Sequence, residues 1–201
     1  MIIYLINSLG VGGAEMALKK LVLNLPEDIE FKIVTLIGGG EIEDELKLAG
    51  IDVVSLNVTG IGSGINALLK LRKIVKKEKP YILQSFLYHS DFVASFIGVL
   101  LGVENIVWGV RTTDLKKGAF LTSSIRVLLA ALSYFIPSKI IVVGEKAKNK
   151  HARIGYCISK MEVIPNGFDI DACAASPSDV ELFKKEFNFT QADFIIGCVG
   201  R

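Results

Sequence analysis

Cysteine is scarce in this chain, and what there is does not pair. The three residues, Cys157, Cys173 and Cys198, form no C-x-x-C unit and no metal-ligand spacing. That excludes a disulfide framework and a thiolate zinc site, and leaves reduced thiols acting as small core hydrophobes in a cytoplasmic protein. A charge excess is also missing. Twenty-three basic residues face twenty-one acidic ones, a net +2, which gives no reason to expect nucleic acid as a partner. No apolar run reaches the ~20 residues that a membrane-spanning helix requires. The longest apolar region, "DFVASFIGVLLGVENIVWGV", is interrupted by Glu104 and Asn105 and divides into a buried helix, a turn and a strand. Met1 leads directly into "IIYLI" with no basic segment and no small-residue cleavage site before Asn7, so no secretory leader is expected. Internal repeats and low-complexity segments are absent as well.

What is present is ample apolar material. Of the 201 residues 51% are hydrophobic, and the mean hydropathy is +0.47, enough for a sizeable core. Runs rich in Ile and Val recur at 2–6, 31–37, 52–56, 81–86, 105–110, 139–143, 161–165 and 193–200. Several are continuously apolar, the pattern of strands buried on both faces. Helical patterns lie between them at 14–25, 41–49, 65–79, 88–101, 119–135 and 144–153. In the first of these, Ala14, Ala17, Leu18, Leu21, Val22 and Leu25 make one apolar stripe. Strands alternating with helices predict an α/β fold with a doubly wound, mostly parallel sheet and helices on both faces. Such sheets bind ligands beyond the carboxyl ends of their strands.

Two segments read two ways. Residues 66–79, "NALLKLRKIVKKEK", are basic on one face, which fits a solvated helix or attraction to an anionic membrane surface. Residues 118–136 are very apolar with a single arginine, which fits a core helix or a surface that meets lipid or a partner. Towards the C-terminus, Ser178 with Glu181 fits a capping box, and Pro177 suits a first helical turn. The apolar run 193–200 then expects a strand whose faces nothing after it can cover. This pattern predicts one domain over 1–175 and, over 176–201, a connecting segment with the first strand of a second, truncated domain.

Three stretches hold residues suited to chemistry. In "NSLGVGGAEMALKK", Gly10, Gly12 and Gly13 separate strand 1 from helix 1. Glycine lets a ligand approach the backbone closely, and a helix N-terminus attracts anions. Glu15 in the first turn suits the helix dipole or a ligand. A dinucleotide fingerprint does not fit, because Glu15 stands where a small residue is needed and "TLIGGG" ends strand 2 with no acidic residue. Walker A fails for want of Gly-Lys-Ser/Thr. After strand 4, "QSFLYHSDF" sets His89 and Asp91 at a helix start, with Ser90 or Asp91 as an alternative cap. After strand 5, "WGVRTTD" presents Arg111, Thr112, Thr113 and Asp114. Arginine there is a phosphate or carboxylate partner, or the mate of Asp114 in a local salt bridge. In "VIPNGFD", Pro165, Asn166 and Gly167 make a turn after a strand.

Taken in order, the GGAE turn, the strand-PNG-F-D segment about 150 residues later, and the apolar strand ending "VGR" resemble the group 1 (family 4) glycosyltransferases of the GT-B fold. The resemblance spans the chain, and "VGR" is where that family's second domain begins. It implies a retaining transferase in which this half binds a glycan or lipid-linked acceptor and the missing C-terminal domain binds most of a nucleotide-sugar donor. Gly12, Gly13 and Glu15 would face the donor diphosphate. Arg111 stands where relatives often carry histidine, and with His89 it would be the catalytic candidate. Asp91, Thr112, Asp114, Asn166 and Gly167 would line the substrate cleft. No tightly bound cofactor and no metal are implied, and no Asp-x-Asp cluster argues for one. Cell-surface polysaccharide or lipopolysaccharide assembly and peripheral membrane contact would follow. The family's E-x₇-E carboxylates belong to the missing domain, so the chain alone is expected to be inactive. The alternatives are another nucleotide-binding Rossmann-type enzyme, such as an epimerase or reductase, and a non-catalytic binding domain.

Overall fold

A computed structural model describes residues 1–113, 120–167, 174–190, 193 and 195–197. The chain forms two compact units, Met1–Asn166 and Gly167–Arg201. The first holds seven strands: β1 (Ile2–Ile6), β2 (Phe31–Thr35), β3 (Val53–Ser55), β4 (Ile82–Phe86), β5 (Asn105–Val110), β6 (Lys139–Val142) and β7 (Met161–Val163). They pair in the order β3-β2-β1-β4-β5-β6-β7, and every pairing is parallel. The helices of this unit are α1 (Gly13–Leu23), α2 (Glu41–Leu48), α3 (Ile61–Glu78), α4 (Tyr88–Leu101), α5 (Phe120–Leu132) and α6 (Glu145–Ile154). The expected α/β class, parallel sheet and helix-strand alternation are all present.

Alternation along β1 shows why the sheet is covered on both sides. Ile3 and Leu5 join the cluster built by Leu71 and Val75 of α3 and by Ala94 and Ile97 of α4. Tyr4 and Ile6 point the other way, onto Leu18 and Val22 of α1 and Ile42 and Leu46 of α2. Successive side chains of a strand face opposite sides, so a run apolar at every position needs helices on both. A third cluster joins Trp108 and Val110 of β5, Ile140 and Val142 of β6, Leu129 of α5, and Tyr156. The indole N–H of Trp108 donates to Ser95 Oγ at 3.0 Å, so its buried polar edge is satisfied.

Helix α3 begins four residues before the expected 65, at Ile61. The glycine-rich "GIGSG" hides this start, and Ser63 supplies it: its Oγ accepts from the Gly60 N–H at 2.8 Å. The second unit contains α7 (Pro177–Glu186). Its cap is Ser176, whose Oγ accepts from the Asp179 N–H at 3.1 Å, and not Ser178 as the spacing predicts. Pro177 takes the first helical position, which leaves Ser178 inside the turn. Of the expected strand at 193–200, the described residues 193 and 195–197 take no strand, and the others lie outside the described residues. Among the described residues no helix is long and apolar enough to cross a membrane.

Glycine matters most where two strands need its missing side chain. A Cβ on Gly109 would stand 2.6 Å from the Ser85 carbonyl oxygen of the neighbouring strand. Gly62, an exposed position of α3, has open space where its Cβ would stand. Gly109→Ala is therefore expected to cost at least 2 kcal/mol, roughly the price of a forced backbone clash, while Gly62→Ala should stabilise by a few tenths to about 1 kcal/mol. Chemical denaturation of the two variants checks the opposite signs.

Candidate functional site

Five loops gather at the carboxyl ends of β1, β2, β4, β5 and β7. The first is the glycine loop. Leu9 within it is fully buried, and its carbonyl accepts from the Ile42 N–H of α2 at 3.1 Å. Gly40 makes this possible. Its φ of +127° favours glycine, and a Cβ there would strike the backbone of Leu9 and Gly10. Gly40, the last glycine of "TLIGGG", thus clasps the first glycine loop.

Gly12 caps α1 with extended backbone and no side-chain cap. The Glu15 carboxylate turns back over it, lying where a Cβ on Gly12 would stand. The anion at this helix N-terminus is therefore the protein's own, and a diphosphate approaching Gly12 and Gly13 meets that carboxylate first. Gly13 leaves open space around its own Cβ position.

The β4–α4 junction carries the strongest backbone strain. Leu87 sits at φ 73° and ψ 154°, a region that glycine alone visits readily, at a cost of about 1–3 kcal/mol. Its N–H donates to the Gly109 carbonyl at 3.0 Å, which holds it there. The helix starts at Tyr88, so Ser90 and Asp91 lie inside its first turn and neither caps it. Ser90 Oγ donates instead to Asn7 Oδ1 at 2.6 Å, tying α4 to the glycine loop. Asn7 stands between the first strand and the glycines, and its polarity right after an apolar run was the signal available for it.

Asp91 requires a correction. The expectation of a substrate contact does not hold, because the side chain is completely buried beneath the loops. Its Oδ1 accepts from Ser85 Oγ at 2.7 Å, and the Gly109 N–H also donates to the carboxylate. Oδ2 is buried without a partner. Burial pushes the carboxyl up to about 7, against the lowering effect of those two hydrogen bonds. Asp91 acts as a clasp between β4, β5 and α4.

Arg111 and Asn166, predicted from separate motifs, meet each other. Arg111 Nη1 donates to Asn166 Oδ1 at 2.8 Å, and the guanidinium stacks over the Phe86 ring at 5.3 Å. Its Nε is buried without a partner, and burial lowers its pKa, though a guanidinium stays charged. Thr112 adjoins it, half-buried. Asp114, and with it the expected local salt bridge, lies outside the described residues. Gly167 opens the second unit. His89 is half-buried, and burial lowers its pKa, favouring the neutral imidazole.

His89 and Asn7 are the polar groups of a cavity of about 660 Å³ between α3 and α4. The rest of its wall is apolar, with Leu68 of α3 and Phe92 and Phe96 of α4 prominent. No motif in the sequence announced this cavity, since its lining comes from five separate segments. The other histidine, His151, is wholly buried in α6. Its Nδ1–H donates to the Ala147 carbonyl at 2.8 Å and its Nε2 accepts from the Tyr88 hydroxyl at 2.6 Å, a buried bond between α6 and the start of α4.

The Asp91 linkage gives a pH prediction. Between about pH 4 and 7 the folded state keeps the proton that the unfolded state has lost, so folding stability falls as pH rises through this window. Buried His151, whose pKa is lowered, contributes the opposite slope below its ordinary value, so the test is a difference. Asp91→Asn should gain stability relative to the unsubstituted chain by about 2–4 kcal/mol between pH 4 and 7, read by urea unfolding at each pH.

Comparisons place this geometry among known proteins. A search of curated proteins finds no match. Anabaena HepE, solved in complex with UDP, is 17% identical with a TM-score of 0.76, over 93% of this chain and 50% of that one. The lipopolysaccharide outer core galactosyltransferase WaaB, in apo form, is 16% identical with a TM-score of 0.63, over 85% of this chain and 47% of that one. The Neisseria meningitidis UDP-GlcNAc 2-epimerase, bound to UDP-GlcNAc, is 18% identical with a TM-score of 0.61, over 96% and 55%. At these identities the likeness is one of fold, and the chain spans about half the length of the solved proteins it matches. The profile of Glycosyltransferase Family 4 matches residues 11–172, most of the chain, and the protein belongs to that family.

Proposed function

We propose that this chain is the acceptor-side half of a retaining glycosyltransferase that moves a sugar from a nucleotide-sugar to a saccharide or lipid-linked acceptor. The observation that carries the reading is the Arg111–Asn166 pair at the carboxyl end of the sheet, in a chain of this family. A leaving diphosphate and an oxocarbenium-like sugar need fixed positive charge and aligned donors. Arg111 supplies the charge, and Asn166 and the Phe86 ring hold its orientation. The amides at Gly12 and Gly13 approach the diphosphate once Glu15 swings aside. Neutral His89 faces the acceptor as a weak acid or base. Most of the donor is held by a further domain of the full protein, so residues 1–201 alone turn over little or no nucleotide-sugar. HepE solved with UDP and with UDP-glucose supports a uridine nucleotide as the first donor class to try, and WaaB supports cell-surface glycan assembly as the setting. An epimerase shares the fold, but the family match favours transfer.

Membrane contact is part of this proposal. Phe120 and Leu121 of α5 are 83% and 72% exposed, and Phe135 beyond it is 85% exposed. Arg72, Lys73, Lys76 and Lys77 form an exposed basic end on α3. Exposed apolar side chains and a cationic helix end are each features suited to an anionic bilayer surface.

Two measurements test these readings. In the protein carrying its donor domain, Arg111→Ala should lower kcat/KM for UDP-glucose turnover by about a hundredfold, with Arg111→Lys recovering only part because it lacks the fork that Asn166 engages. Robust sugar transfer by residues 1–201 alone would defeat the half-enzyme reading. In liposome flotation, the chain should rise with anionic vesicles at low salt and less so at high salt; absence of binding at low salt defeats the membrane reading.

A further inference from the structure

The apolar cavity has a direction. Tyr88 opens α4 at the carboxyl edge of the sheet, and His89, Phe92 and Phe96 follow on one helical face at spacings of three and four. Its polar groups, Asn7 and His89, therefore stand at the loop end, while Phe92 and Phe96 lead away from it. Gly64, Ile65 and Leu68 in the first half of α3 form the opposite wall. Beyond Phe96 the apolar track continues. A second groove of about 310 Å³, on the α5 side of α4, shares Phe92 and Phe96 and runs over Val99 and Leu100 to Leu132 of α5 and Ile136. From His89 to Leu100 the track spans about 16 Å at roughly 1.5 Å per helical residue, comparable with an extended dodecyl chain.

The lining decides what can lie there. A sugar ring buried in this cavity would lose water from each hydroxyl and find almost no hydrogen-bonding partner, an unfavourable exchange. A hydrocarbon chain has nothing to lose, and the cavity volume is of the size that small-molecule sites occupy. We propose that the groove between α3 and α4 binds the hydrocarbon chain of an amphiphilic acceptor, with its polar head at Asn7 and His89. This rests on the transferase reading and narrows it: the acceptor is lipid-linked, and its chain leaves the reacting head along α4. Arg72, Lys76 and Lys79 border a neighbouring surface that reaches Leu100, so the far end of the track opens beside cationic side chains suited to an anionic lipid surface.

The test is direct binding without any sugar donor. The 201-residue chain is titrated calorimetrically with octyl, decyl and dodecyl maltoside, each below its micelle concentration. Affinity should rise by about fourfold for each methylene that becomes buried. Gly64→Trp places a ring in the groove from a position with open space around its Cβ. It should weaken dodecyl maltoside binding at least tenfold. Phe96→Ser, at the junction of the two grooves, should weaken the dodecyl compound more than the octyl one. Gly62→Ala, on the same helix but outside the cavity, should bind as the unsubstituted chain does. Affinity independent of chain length, or unsubstituted-level binding by both groove variants, overturns the proposal. So does binding confined to intact anionic vesicles, which would assign the apolar strip to a bilayer surface. Because no donor takes part, failure here leaves the transferase reading standing, and failure of sugar transfer leaves chain-length-dependent binding intact.

Discussion

The carboxylate of Asp91, shut away from water, ties together the loop edge that holds the candidate site. It accepts from Ser85 at the end of β4 and from the Gly109 N–H near the end of β5, and it sits in the first turn of α4. Two neighbours depend on the same closeness. Leu87 is held in strained backbone by the Gly109 carbonyl, and Gly109 can approach Ser85 only because it lacks a side chain. His89 follows Leu87 by two residues and Arg111 follows Gly109 by two. The orientation of both candidate groups thus derives from one buried clasp, whose raised pKa is the cost of placing a carboxylate there.

The loops around that clasp divide the labour between charge and grease. Arg111, stacked on Phe86 and bonded to Asn166, is a cation held in one orientation. The glycine loop is locked by Gly40 and by Ser90 through Asn7, and its own carboxylate, Glu15, covers the helix end. On the α3–α4 side the surroundings turn apolar within one helical turn of His89. A polar loop edge flanked by an apolar track is the arrangement on which the proposed amphiphile binding rests.

Much of the architecture was legible because its physical cause is local and repeated. Continuous Ile/Val runs such as 2–6 must be buried on both faces, and stripes such as Ala14, Leu18 and Val22 must face a sheet, so the doubly wound form follows from burial alone. Arg111 and Asn166 were legible as candidates because a cation directly after an apolar strand and a turn after another both fall at carboxyl ends. The misreadings have causes as well. Asp91 looked accessible because a polar residue at a helix start is usually a cap; burial inside the first turn is a tertiary event. Ser176 displaced Ser178 as the α7 cap because Pro177 takes the first helical position. "TLIGGG" read as an absence, the missing ribose acid, when its last glycine, Gly40, clasps another loop.

By itself the amino-acid sequence determined the parallel α/β class and the order of its elements, because these depend on periodicity, and it singled out candidate residues beyond the ends of β1, β4, β5 and β7. Only the tertiary structure decided that Arg111 pairs with Asn166, that Asp91 is a buried clasp, and that Asn7, His89, Leu68 and Phe96 border one apolar cavity. Those residues lie on different strands and helices, and their distances are set by sheet order and helix packing, which no spacing along the chain encodes.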